Sequence, residues 1–541
     1  MTDKNDVDLA KSNRVLTIVI PIWLALIVLA VLNNFMYLDA SSLWLDELFT
    51  VYFSDPNQPS FSAFLNRASE DVHPPGYYAL VWITGLLTGA DTGMIARGIS
   101  ATLAALSLVL ICLAMPKWIS RPARLFSCTL AATSHIYFLY APQGRSYALS
   151  WVLVILLLML ALDINRAMSQ GKPISLKLST FTITGIISGL CHMYLVPLIG
   201  AKIAIMLCFS QSWKNRFWIA VSGLIILTTM LVFLNWQADK IILDVSDTWF
   251  SADSDFLWRQ TNAGLKRLFG SALETPLSNV IIAASVVSVV WILIKRIKIQ
   301  DLRPIIFDTI FVFSSPILAL ALAILVTLFY APSYSFRYFI VLVPFYWILM
   351  GFLFEIILRS SLKWMIIGII IFTTIIFIPL SARILWSDLP TKQPWRETAQ
   401  FVDNTQECVD AILPVVTFAE KFITGSVPVN FYGYYLNNGT ARDWLSYPED
   451  EVTLFPGTGP VRNIVVERIT GNDPCPILLW DVAHSNPANL EIARQSMMQT
   501  FDLPEGSTII LKTIKLPESN LFMRLLGMSS QEEGYFLLVQ R

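Results

Sequence analysis

Asp46 and Glu47 are neighbouring carboxylates in the stretch SLWLDELFT, directly after the first long apolar run, and His73 follows in DVHPPGYY. A carboxylate at a membrane surface is costly unless it faces water, a cation or a substrate. Once positioned, it can take the proton that a hydroxyl loses as it attacks an activated carbon. Arg145 in YAPQGRSY and Arg337 in APSYSFRYF stand at the ends of apolar runs. A guanidinium stays charged and grips phosphate in a fork, and cationic groups stabilise a leaving phosphate. A base beside phosphate-gripping arginines suits transfer of a phosphate-activated sugar to a hydroxyl. Glycoside hydrolysis would ask for two carboxylates on opposite sides of the sugar. Here one acidic pair in one loop is evident. Neighbours on a helix point about 100° apart, so Asp46 and Glu47 need not share a role.

Each residue also has a plainer reading. The acids suit a wetted loop, either arginine suits snorkelling to the interface, and His73 suits capping a turn. His192, in CHMY, reads as an interfacial histidine. Tyr147, Tyr194 and Tyr338 suit an aromatic belt. Arg97 begins an apolar run and reads as a snorkelling residue, and His135 beside Ser134 reads as structural.

The elements that must position these groups are membrane helices. The chain of 541 residues is 55% hydrophobic and 14% charged, with mean hydropathy +0.60. That is the composition of a polytopic membrane protein. A net charge of −1 gives no electrostatic case for nucleic acid. The polar N-terminal stretch and the long run behind it predict an anchor rather than a cleaved signal. Apolar runs suited to spanning lie at 15–38, 95–115, 124–141, 146–164, 178–192, 194–210, 217–235, 276–294, 305–330, 338–357 and 364–382. The run 74–90 opens on HPPGYY and is read as lying along the surface. The basic clusters, such as Lys117, Arg121 and Arg124, then all fall on the cytoplasmic side. This predicts about 11 spans, N-terminus inside and C-terminus outside. Residues 39–94 form one external loop with amphipathic helices, and every candidate polar group falls on the external face.

From 383 to 541 the composition turns polar, and short strand patterns such as AILPVVTF, PILLWDV, STIILKTI and GYFLLVQR alternate with helical stretches. This predicts a soluble C-terminal α/β domain. Cys408 and Cys475 lie in it and could pair in an oxidising compartment. The fold expected is an all-α polytopic membrane bundle over residues 1–382, followed by that domain.

At LWLDE, HPPGYY, YAPQGRSYAL, CHMY and FRYFIVLVP the chain resembles the membrane-embedded GT-C glycosyltransferases. More narrowly, it is similar to the bacterial branch of the dolichyl-phosphate-mannose protein mannosyltransferase superfamily, which includes lipid A aminoarabinose transferases and rhizobial galacturonosyltransferases. PWRETAQFV resembles the start of that family's periplasmic domain. The resemblance covers the membrane part in order. It implies an undecaprenyl-phosphate-linked donor, inversion at the anomeric carbon and an acceptor on the periplasmic side of a bacterial inner membrane. The acceptor would be a lipid or glycan of the cell envelope, such as lipopolysaccharide, before a protein.

The resemblance implies Asp46 as the base or as a metal-coordinating carboxylate, with Glu47 assisting. It implies Arg145, Arg337 and His73 as donor-phosphate contacts, with Tyr147, His192, Tyr194 and Tyr338 expected to line the substrate cavity. Some members use a divalent ion and others do not, so the cofactor is left open. Many relatives carry a Glu before the Arg of the fourth-span turn, where this chain has Gly144. Two other readings stay open: a transporter or flippase of a lipid-linked sugar, and a catalytically silent envelope-assembly partner.

Overall fold

The computed structural model describes residues 2–238 apart from 37 and 40, 251–269, and 299–358 apart from 331. Beyond these it describes 396, 400, 412–413, 434–435, 478–479, 508–515 and 533–540. Among the described residues, six helices are long and apolar enough to cross a membrane, as in a multi-pass membrane protein. They are α1 (Thr2–Met36), α5 (Thr92–Ala114), α8 (Tyr147–Ser169), α11 (Trp213–Ala238), α13 (Ile299–Phe329) and α14 (Arg337–Leu358). In α1 and α13 the apolar part is Val19–Met36 and Phe307–Phe329. α9 (Ser175–Cys191) and α10 (Leu195–Phe209) occupy two more of the expected positions but are shorter. The expected spans 276–294 and 364–382 lie outside the described residues, as do Cys408 and Cys475.

The run expected as one span over 124–141 is two helices, α6 (Arg121–Thr133) and α7 (His135–Tyr140). Ser134 breaks it. Its hydroxyl donates to the Ala131 carbonyl at 2.8 Å and accepts the Tyr137 amide at 3.2 Å. A serine that bonds its own backbone offers the chain an alternative to the helical ladder. His135 therefore starts a helix instead of lying deep inside one.

α8 and α14 sit at the centre, with most of their residues buried. α5 packs along α8, and α6 packs against both α1 and α14. Trp23 of α1 meets the rings of Phe126 and Phe354 edge to face, at 5.5 and 5.7 Å. Trp151 of α8 donates its indole N–H to the Ile340 carbonyl of α14 at 2.8 Å. Lys202 is buried in α10, with its ammonium 5.5 and 5.2 Å from the Phe311 and Phe345 ring centroids. Such a placement is a cation–π contact that offsets part of the cost of burial.

Between α1 and α5 the chain forms α2 (Leu45–Phe53), α3 (Phe61–Ala68) and α4 (Gly76–Thr88). α4 has 13 residues, about 20 Å at 1.5 Å per residue, which is short of a hydrocarbon core of about 30 Å. The three helices share a small core of their own. Phe53, Phe64, Tyr77, Tyr78, Val81 and Trp82 are buried in it, and Phe64 stacks on Trp82 at 4.9 Å. α12 (Ser254–Phe269) packs against α14 and α7.

In the C-terminal part, β1 (Ile412–Leu413) pairs in parallel with β2 (Leu478–Leu479). β3 (Thr508–Lys515) pairs antiparallel with β4 (Glu533–Gln540), with Ile510 opposite Leu538. β1 and β2 lie within AILPVVTF and PILLWDV, and β3 and β4 overlap STIILKTI and GYFLLVQR, each running one residue past the stretch.

Candidate active site

α2 begins with the acidic pair in its first turn, where carboxylates complement the positive end of the helix. The two then diverge, as their angular spacing requires. Glu47 turns inward and is 1% exposed. Its Oε1 accepts from Arg97 Nε at 2.9 Å and from the Gly144 amide at 2.7 Å. Its Oε2 accepts from Arg97 Nη2 at 2.6 Å and from the Trp44 amide at 3.1 Å. Arg97, on α5, also donates to the carbonyls of Leu38, Ser41 and Ser42 at 2.9, 2.7 and 3.0 Å. Those bonds use all five guanidinium N–H groups. Arg97 is 5% exposed, so it does not snorkel: it clamps α2 and residues 38–42 to α5. Glu47, with four hydrogen bonds, is spent on holding the chain.

Gly144 completes the clamp. A Cβ there would lie 2.9 Å from the Ala96 Cβ. Gly144→Glu is therefore expected to cost about 1–3 kcal/mol by overpacking, and it sets a second carboxylate beside Glu47. A lower unfolding midpoint for the purified variant in detergent checks this.

Asp46 points the other way. Its Oδ2 lies 3.4 Å from Arg337 Nη2, with the two side chains 18% and 23% exposed. This is an ion pair without a hydrogen bond, and among the described residues no hydrogen-bond donor reaches that oxygen. Arg145 supports Asp46 from behind: its Nη1 donates to the Asp46 carbonyl at 2.9 Å, to Tyr78 at 3.1 Å and to Thr50 at 3.3 Å. Its Nη2 lies 3.2 Å from His73 Nε2. Burial opposes the Arg145 charge, but Tyr78, Asp46 and Asp71 together raise its pKa above the ordinary arginine value.

Asp71 was not singled out from the sequence, although it opens DVHPPGYY. Its Oδ2 lies 3.1 Å from His73 Nδ1 and accepts from the Tyr78 hydroxyl. Burial alone would raise its pKa, but His73, Arg145 and Tyr78 hold it below the ordinary aspartate value. A carboxylate on Nδ1 fixes the imidazole and leaves Nε2 to accept. Gln237, at the end of α11, donates to the Asp71 carbonyl at 2.5 Å and fixes this loop from the other side. Asp-x-His spacing was the available signal for Asp71. Gln237 had none.

Rings wall the remaining side. Tyr147 lies 5.9 Å from His192, His192 lies 5.0 Å from Tyr194, and Tyr194 stacks on Tyr338 at 4.0 Å. Tyr140 and Tyr334 extend the row, at 5.1 Å from Tyr147 and 5.7 Å from Tyr338. The structure thus gathers Asp46, His73, Arg145 and Arg337 with His192 and the three expected tyrosines, and it turns Glu47 aside.

His192 lies in the break between α9 and α10. Its Nδ1 accepts the Tyr194 amide at 3.3 Å.

A scan against protein-family models finds no match for this chain, and a search of curated proteins finds none either. The residues around Asp46 do not by themselves form a metal-ligand set. The charged groups facing it are guanidinium donors, and among the described residues no three His, Cys, Asp or Glu side chains converge.

Proposed function

We propose that the chain is a membrane glycosyltransferase of the GT-C type, moving a sugar from a polyprenyl-phosphate donor to an acceptor hydroxyl with inversion. The observation that carries this reading is Asp46: among the described residues no hydrogen-bond donor reaches its buried Oδ2, which lies 3.4 Å from Arg337 Nη2, on side chains 18% and 23% exposed. A base needs a free lone pair, and a leaving phosphate needs a cation beside it.

The acceptor hydroxyl attacks the anomeric carbon from the face opposite the phosphate. The new C–O bond forms as the bond to phosphate breaks, and polyprenyl phosphate leaves with the electron pair. Asp46 takes the hydroxyl proton. Arg337 stabilises the charge on the leaving phosphate. Arg145 is less a phosphate ligand than the support that fixes Asp46, because its Nη1 donors already serve three oxygens. Asp71 holds His73 at the edge of the same site. The tyrosine row suits the flat apolar faces of a sugar.

The wider setting belongs to the same proposal: about 11 spans in a bacterial inner membrane, with the site and the C-terminal part on the periplasmic side. The parallel β1–β2 pair supports reading residues 383–541 as an α/β domain, because parallel strands need a crossover connection between them.

Undecaprenyl phosphate titrated into the purified full chain in lipid nanodiscs tests the phosphate assignment. Arg337→Gln is expected to weaken binding by about 10- to 100-fold, the loss of a charge-assisted contact. Equal binding by wild type and Arg337→Gln would remove Arg337 from the site.

A further inference from the structure

Residues far along the chain grip the segment that carries Asp46. The Leu43 amide donates to the Tyr435 hydroxyl at 2.6 Å, across a sequence separation of 392 residues. Next to it, the Tyr434 hydroxyl donates to the Asp91 carboxylate, 2.8 Å from each oxygen. Arg396 pairs with Asp39 at 2.6 Å.

These three targets flank one device. Leu43 follows Ser41 and Ser42, whose carbonyls accept from Arg97, and α2 starts two residues later. Asp91 is the N-cap of α5, its Oδ1 accepting the Met94 amide at 2.8 Å. α5 carries Arg97. The tyrosine pair therefore holds both sides of the Glu47–Arg97 clamp, and Asp46 is the residue before Glu47. Gly93 permits the close approach: a Cβ there would lie 2.5 Å from the Tyr434 hydroxyl oxygen and 2.7 Å from Leu43 Cδ1. The two tyrosine rings brace each other edge to face at 4.7 Å.

We propose that Tyr434 and Tyr435 are positioning residues that latch the C-terminal part onto the Glu47–Arg97 clamp and so keep the Asp46 carboxylate in register with Arg337. This rests on the reading of Asp46 as the base. Neither tyrosine touches a reacting atom. Losing them leaves the Arg337 grip on phosphate intact and displaces the base, and a displacement of about 1 Å can cost about 100-fold in rate. The signature is a loss of turnover without a loss of donor affinity.

Two variants of the full chain in nanodiscs probe the latch by different routes. Tyr434→Phe/Tyr435→Phe removes both hydroxyls, and Gly93→Ala crowds Tyr434 and Leu43 without removing a polar group. Amide hydrogen exchange in peptides covering 41–53 is expected to quicken roughly 5- to 10-fold in both, the yield of releasing the Leu43 amide from Tyr435, which one variant deletes and the other displaces. Undecaprenyl phosphate binding should stay within about twofold of wild type, while sugar attached to envelope glycans in complemented cells falls at least about tenfold. Unchanged exchange overturns the latch. Faster exchange with wild-type sugar attachment overturns its positioning role. If Asp46→Asn also attaches sugar normally, the transferase reading falls and takes this proposal with it. If only Asp46→Asn is dead, the latch alone is wrong.

Discussion

Arg97→Met should destabilise the protein by about 3–5 kcal/mol, the cost of leaving a buried carboxylate without its partner. The size follows from the fully used guanidinium. Removing it leaves Glu47 charged and buried, and it strips a donor from the carbonyls of Leu38, Ser41 and Ser42. Arg97→Lys should rescue little, because an ammonium has three donors where five are used and cannot match the carboxylate as a fork. Glu47→Leu/Arg97→Leu should recover part of the loss, since an apolar pair removes the stranded charge. Graded unfolding of the purified variants in detergent reads this. An Arg97→Met midpoint equal to wild type would mean that Arg97 sits at the interface as a solvated cation.

Asp46→Asn should behave in the opposite way, keeping the fold and losing the chemistry. The structural contribution of Asp46 is its backbone carbonyl, which receives Arg145 and which asparagine retains. Among the described residues its carboxylate makes one ion pair, at 3.4 Å to Arg337. A missing general base lowers the rate by about 10²–10⁴-fold. Undecaprenyl phosphate should bind Asp46→Asn at least as well as wild type, because the carboxylate that competes for Arg337 is gone. Transfer measured at matched protein levels, beside that binding, separates the base from a residue that merely holds the donor.

Much of the site was legible because it rests on residue types that are costly in a membrane. Asp46, Arg145, Arg337, His73 and His192 each break an apolar pattern, and the structure brings them together. The role of Glu47 was not legible. Adjacent carboxylates look alike in a sequence, and only the register of α2 against α5 sends one to Arg97 and the other to Arg337. Arg97 was misread for a related reason: an arginine at the start of an apolar run looks the same whether it snorkels or meets a buried acid 50 residues away in sequence. The break at Ser134 was hidden because hydropathy stays high across it, while the competing hydrogen bonds are local. Contacts from Tyr434 and Tyr435 span more than half the chain and follow no local period. The six long helices α1, α5, α8, α11, α13 and α14 were legible because apolarity runs long in each.

The central claim is that Asp46 is the base of a sugar transfer. Mass spectrometry of cell-envelope glycans tests it most directly, comparing a deletion strain complemented with wild type, with Asp46→Asn or with empty vector. The account predicts that one sugar mass present with wild type is absent from both other strains, and the molecule that loses it is the acceptor. An Asp46→Asn strain whose glycans match wild type would contradict the account and leave Asp46 a solvated acid of the first loop.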